Sequence, residues 1–146
     1  MMLGMIAEQR NAITNAQMHY RKTLEMEPKF SPAANNLAWL MAEHGGNLDE
    51  ALSFAERARA QQKDNPHIAD TLGWIYYKKK AYVKAVLFLQ EAAEKLPENP
   101  MVQYHVGMAQ WKNGDRLKGK KALELALQLS PNFSGSEEAR ATLEML

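Results

Sequence analysis

A helical pair that cannot bury its own apolar face recurs along this chain every 34 or 35 residues, and this recurrence limits the fold more than any other feature. The unit is clearest from Ala69 to Pro100. Apolar and small residues fall at helical spacing in both halves: Leu72, Ile75 and Tyr76, then Ala85, Leu89 and Ala92. Asn65-Pro66 offers a cap and a first-turn proline, and Pro97 closes the second helix. The turn at Lys79–Tyr82 has room only to fold the second helix back on the first.

The pair Leu72-Gly73 returns as Val106-Gly107, 34 residues on. It is preceded by Leu37-Ala38, 35 residues back, and by Leu3-Gly4, another 34 back. A small residue of each second helix keeps step: Ala16, Ala51, Ala85, Gly119. So does a second, seven residues later: Thr23, Ala58, Ala92, Ala126. Pro28, Pro97 and Pro131 close three of the units, with Lys63 in the fourth. The extra residue of the second unit falls in His44-Gly45-Gly46-Asn47, a turn, where insertion costs least.

A helix–turn–helix period of 34 with an L-G pair, a later Ala and a terminal Pro resembles the tetratricopeptide repeat. The resemblance covers nearly the whole chain. It implies an all-α, right-handed solenoid of about four hairpins with a C-terminal capping helix. The chain is then a single domain, 1–146, with repeats at about 1–30, 31–65, 66–99 and 100–133 and a capping helix at 134–146. Only Met1 and Met2 precede Leu3-Gly4, so the first repeat is truncated at its start and the chain reads as a fragment of a larger bacterial repeat protein. Close approach explains the small positions: Gly73 and Ala85 are expected to face each other, and Ala92 to admit the next repeat. Gly119 is expected to weaken its helix by roughly 0.5–1 kcal/mol relative to Ala. Asn47, with Glu50 three residues on, is close to a capping box. Ser134-Gly135-Ser136, followed by Glu137 and Glu138, starts the last helix with a cap and an acidic first turn.

Composition excludes several functions. The net charge of +1 across 146 residues argues against nucleic-acid binding. There is no cysteine, so no disulfide frame and no thiolate site. No apolar run reaches the ~18–20 residues of a membrane span, and no signal peptide is visible, which fits cytoplasm and periplasm equally. The histidines His19, His44, His67 and His105 lack metal-ligand spacing, and no nucleophile or phosphate-loop motif is present. The expectation is a chain that is not an enzyme and carries no cofactor or metal.

In a stacked array the first helices line the concave side, and side chains three and four apart face it. These are Asn35, Asn36 and Trp39 in the second repeat, Asp70, Trp74 and Tyr77 in the third, and Tyr104, Met108 and Trp111 in the fourth. All three tryptophans belong to this set. Such a row with polar edges suits a peptide segment of a partner protein. Trp39 and Trp74 share a repeat position, and packing between helices suits them equally. Family members that grip the C-terminal carboxylate of chaperones use Lys, Arg and Asn at positions matching Met1, Met5, Asn36, His67 and Thr71; only Asn36 fits. Lys78, Lys112 and Arg116 begin a basic edge along the turns, with Lys79, Lys80, Lys84, Lys118, Lys120 and Lys121 nearby, suited to an acidic partner. Three alternatives stay open: a carbohydrate- or polymer-docking module of an export system using Trp39, Trp74, Tyr77 and Trp111 as stacking platforms, an accessory region of a larger enzyme, and self-association through the uncapped first repeat.

Overall fold

The computed structural model describes the backbone of residues 2–146 and the side chains of residues 9–146. Eight α-helices follow one another: α1 (Met2–Met26), α2 (Ser31–Glu43), α3 (Leu48–Gln61), α4 (Pro66–Lys78), α5 (Tyr82–Lys95), α6 (Pro100–Lys112), α7 (Arg116–Leu129) and α8 (Ser136–Met145). The chain divides into two compact units, one up to Lys63 and one from Asp64 to Leu146. The first holds α1 and the hairpin α2–α3. The second holds the hairpins α4–α5 and α6–α7, followed by α8.

The hairpin turns share one device. A 6→1 hydrogen bond closes each first helix: Gly46 N to Met41 O at 2.7 Å, Ala81 N to Tyr76 O at 2.9 Å, Asp115 N to Gln110 O at 2.9 Å. The residue before each donor is left-handed: Gly45 (φ 76°), Lys80 (φ 64°), Gly114 (φ 97°). The same register falls on Asn11, where α1 runs through without a turn, so the first repeat's Ala16–Thr23 segment continues a single long helix. No glycine or proline falls between Asn11 and Met26. The pair Leu3-Gly4 lies outside the residues whose side chains are described.

The inserted residue of the second repeat follows Gly46 and makes Asn47 available as a cap. Its Oδ1 accepts from Asp49 N at 2.9 Å and Glu50 N at 3.0 Å. Asn65, Asn99 and Asp115 cap α4, α6 and α7 in the same way. The serine cap expected for α8 is not formed. Gly135 occupies the cap position at φ 106°, and a Cβ there would stand 2.6 Å from the Tyr104 ring. The close approach to Tyr104 makes the glycine necessary.

The small residues work as spacers, with one change of partner. Gly73 faces Leu89: a Cβ would lie 2.5 Å from its Cγ. Gly119 is also a contact glycine, since a Cβ would lie 2.9 Å from the Gly107 carbonyl and 3.0 Å from Trp111 Cβ. The core of the second unit gathers Ala85, Leu89, Val106, Ala109 and Ala122 between α5, α6 and α7, with Tyr76 and Tyr77 packed on it. In the first unit Leu24 of α1 is buried, along with Leu37, Ala38 and Met41 of α2. Arg21 of α1 reaches Glu50 of α3 at 2.7 Å, and Arg21 and Arg57 both lie over the Phe54 ring.

Candidate functional site

On α2, Asn35 and Trp39 are half-buried and Asn36 is exposed. The helix itself explains this: Leu37, Ala38 and Met41 take the buried stripe, which turns residues 35, 36 and 39 to its flank. Asn35 Oδ1 is buried without a hydrogen-bond partner. An amide carbonyl in that state costs about 1–3 kcal/mol relative to one that is hydrogen-bonded. The Asn35 terminal torsion is soft, and the residue is half-buried rather than enclosed.

The corresponding face of the second unit is knitted together. His105 Nδ1 lies 2.7 Å from Asp70 Oδ1, with the ring 1% exposed. A carboxylate only accepts, so Nδ1 carries the proton and donates. The Trp74 indole lies between two rings: Tyr77 at 4.4 Å and 4°, and His105 at 4.1 Å and 26°. Each such contact adds roughly 0.5–1.5 kcal/mol beyond area burial. Tyr104 tilts against Trp74 and Phe133, and its hydroxyl donates to Glu138 Oε2 at 2.8 Å. Burial, with Glu138 and Tyr82 nearby, pushes the Tyr77 hydroxyl up to about 12.

Three expected groove residues are therefore interior. Trp74, Tyr104 and Met108 are 6%, 3% and 1% exposed, because α6 and α8 pack over the stripe they occupy. Tyr77 and Trp111, three residues further along their helices, are half-buried. The basic residues beside them are engaged. Lys78 Nζ lies 5.7 Å from the centre of the Trp74 ring and Lys112 Nζ 4.6 Å from that of Trp111, while Arg116 donates to the Met145 carbonyl at 3.4 Å. Lys78 and Lys112 also sit in the last turns of α4 and α6, where the helix dipole favours a cation.

His105, Phe133 and Glu138 belong to this assembly and were not assigned to it from sequence. The signal was present: Asp70 and His105 are 35 residues apart, and Tyr104 and Glu138 are 34 apart. Each pair is one repeat length, the spacing that brings successive first helices side by side. Of the positions matching the carboxylate grip, Met1 and Met5 lie outside the described side chains. His67 is exposed, and Thr71 is buried with its hydroxyl donating to the His67 carbonyl at 3.1 Å. Among the described residues, no group of His, Asp and Glu could hold a metal ion, and no helix is long and apolar enough to cross a membrane.

A family model described as a tetratricopeptide repeat matches residues 7–75 and 44–106, and another of the same description matches 102–133. A TPR repeat-containing protein of Pseudomonas aeruginosa is 29% identical over 104 residues. That is 71% of this chain but 18% of the relative's length. MamA from Desulfovibrio magneticus, residue 41 to its end, superposes with a TM-score of 0.77 at 16% identity, over 98% of this chain and 78% of its own. The pilF protein of Pseudomonas aeruginosa gives 0.75 at 25%, over 99% and 65%. The first TPR of Spaghetti (RPAP3), solved bound to an HSP90 peptide, gives 0.69 at 19%, over 79% and 88%. These likenesses show an all-α repeat fold.

Proposed function

Because this chain belongs to the tetratricopeptide repeat family, we propose that it is a protein–protein interaction scaffold that holds an extended peptide segment of a partner on the first-helix faces of its hairpins. The observation that carries the reading is Asn35. Its carbonyl is a buried acceptor with no partner, on a helix flank that also presents Asn36 and Trp39. A peptide N–H satisfies that acceptor. Asn36 can bond the same backbone, and Trp39 offers apolar area to a neighbouring side chain. Taken by itself, the second unit offers Tyr77 and Trp111, both half-buried, as aromatic surface.

A structural neighbour with the same fold was solved holding a peptide, which supports this class of ligand. The chaperone-carboxylate type of peptide is not favoured, since Thr71 carries no charge and its hydroxyl donates to the His67 carbonyl. Stacking of sugars is not favoured either. Trp74, expected as a platform, has one ring face against Tyr77 and the other against His105. The reading is one of binding without catalysis.

The test is selection of a random displayed peptide library on the chain, repeated on an Asn35→Leu/Asn36→Ala variant shown to be folded by circular dichroism. A sequence motif enriched on the parent and absent on the variant supports the proposal. Enrichment of the same motif on both, or of none on the parent, contradicts it.

A further inference from the structure

A cleft of about 460 Å³ opens in the second unit between α5 and α7, floored by α6. It is separate from the first-helix face: its floor uses Gln103, Val106 and Gln110 of α6, whereas the face discussed above uses Tyr104, Met108 and Trp111. Its volume lies within the range of ligand sites, about 300–1,000 Å³. We infer that this cleft is a second binding site, for a short peptide segment that carries a carboxylate beside aliphatic side chains.

Three features define the ligand. The first is Gln110, whose Oε1 is buried without a hydrogen-bond partner. Its terminal torsion is soft, so the carbonyl can turn to meet a donor, and a peptide N–H is such a donor. The second is the apolar lining from Ala93, Val106, Ala122 and Leu125, which suits an aliphatic side chain. The third is charge. Lys118 and Lys121 line the α7 wall, both exposed, with Lys120 and Arg116 on the same helix. Lys118 is only loosely held by Asp115, 3.9 Å away, and is 63% exposed, so that pair competes weakly with a ligand carboxylate. Glu94 stands on the α5 wall. It repels a second anion there and so sets the direction of the segment, with its acidic residue towards α7. Backbone N–H, aliphatic contact and one carboxylate together describe a peptide better than a free anion, which leaves Gln110 unmet.

The test uses the whole chain, ¹⁵N-labelled, titrated with an acetylated and amidated leucine–glutamate–leucine peptide and with its leucine–lysine–leucine counterpart. The acidic peptide is expected to give saturable shifts centred on the Gln110 side-chain amide, Ala122 and Leu125, and the basic one none. In a Lys118→Glu/Lys121→Glu variant, both substitutions being on exposed side chains, the acidic peptide is expected to bind at least tenfold more weakly. Glu94→Gln is expected to leave its affinity equal or higher. Equal binding of both peptides, affinity unchanged in the lysine variant, shifts confined to the Asn35 or Trp111 faces, or no saturable shift at all would each overturn the inference.

Discussion

Asn35 and Asp70 hold the same place in successive repeats, one in each compact unit, and their side-chain oxygens end differently. Asp70 meets His105 at 2.7 Å, one repeat length away, and the histidine ring then supports the Trp74–Tyr77 stack. Asn35 leaves its carbonyl buried and unmatched. The same backbone position is thus a structural joint in the second unit and an unmet acceptor in the first. A repeat fold permits this because period fixes where a side chain starts, while its chemistry decides whether a neighbour can complete it. Unmet polar groups cost stability, so they are informative about binding when they lie near a surface.

The contrast can be broken at its strongest joint. His105→Ala removes a fully buried ring, leaves the Asp70 carboxylate without its donor and opens one face of Trp74. It is expected to lower stability by about 3 kcal/mol in urea unfolding. A loss below about 1 kcal/mol would show that the joint is incidental. Gly135→Ala tests the closure of the same assembly by α8. The substitution is strained by the positive φ and by the Tyr104 ring together. A loss of about 2 kcal/mol is expected, with faster amide exchange along Ser136–Met145.

In the first unit the sign reverses. Asn35→Leu removes the unmet acceptor and is expected to raise stability by about 1 kcal/mol, read from the urea midpoint. The turns sharpen the comparison at smaller scale. Gly45 and Lys80 share a left-handed position, but only Lys80 has a Cβ to accommodate. Lys80→Gly is therefore expected to gain about 0.5 kcal/mol, the relief of left-handed strain less the added unfolded-state entropy, and to show as a small rise in Tm.

A separate effect appears only in alkali. Tyr77 titrates at about 12 in the fold against the ordinary 10.0. Its neutral form is the one the fold holds, so its contribution is intact below pH 10 and is lost as pH rises from 10 towards 12. Ultraviolet titration should show phenol ionisation continuing well above pH 10, and Tyr77→Phe should reduce the amplitude of that late phase.

Much of the fold was legible because the repeat is written in small residues and caps. Gly73, Ala85 and Ala92 mark close contacts, and Asn47 and Asn65 mark helix starts; all are local signals. The partners across each contact were less legible. Gly73 meets Leu89, and Gly119 proved to be a required contact, because helix propensity says nothing about the backbone opposite. The aromatic row shows the limit for the site. Spacing placed Trp74, Tyr104 and Met108 on the expected face, yet a face covered by α6 and α8 is interior. Whether a stripe is covered depends on elements one repeat away. The pairs Asp70–His105 and Tyr104–Glu138, each a repeat length apart, carried that information.

The most direct test of the account is calorimetric titration of a library-selected peptide into the parent chain and Asn35→Leu. The account predicts that Asn35→Leu loses most of the affinity while unfolding at higher urea concentration, so that binding and stability move in opposite directions. Unchanged affinity in Asn35→Leu, or affinity lost together with stability, would contradict the claim that the unmet acceptor of α2 is a binding group.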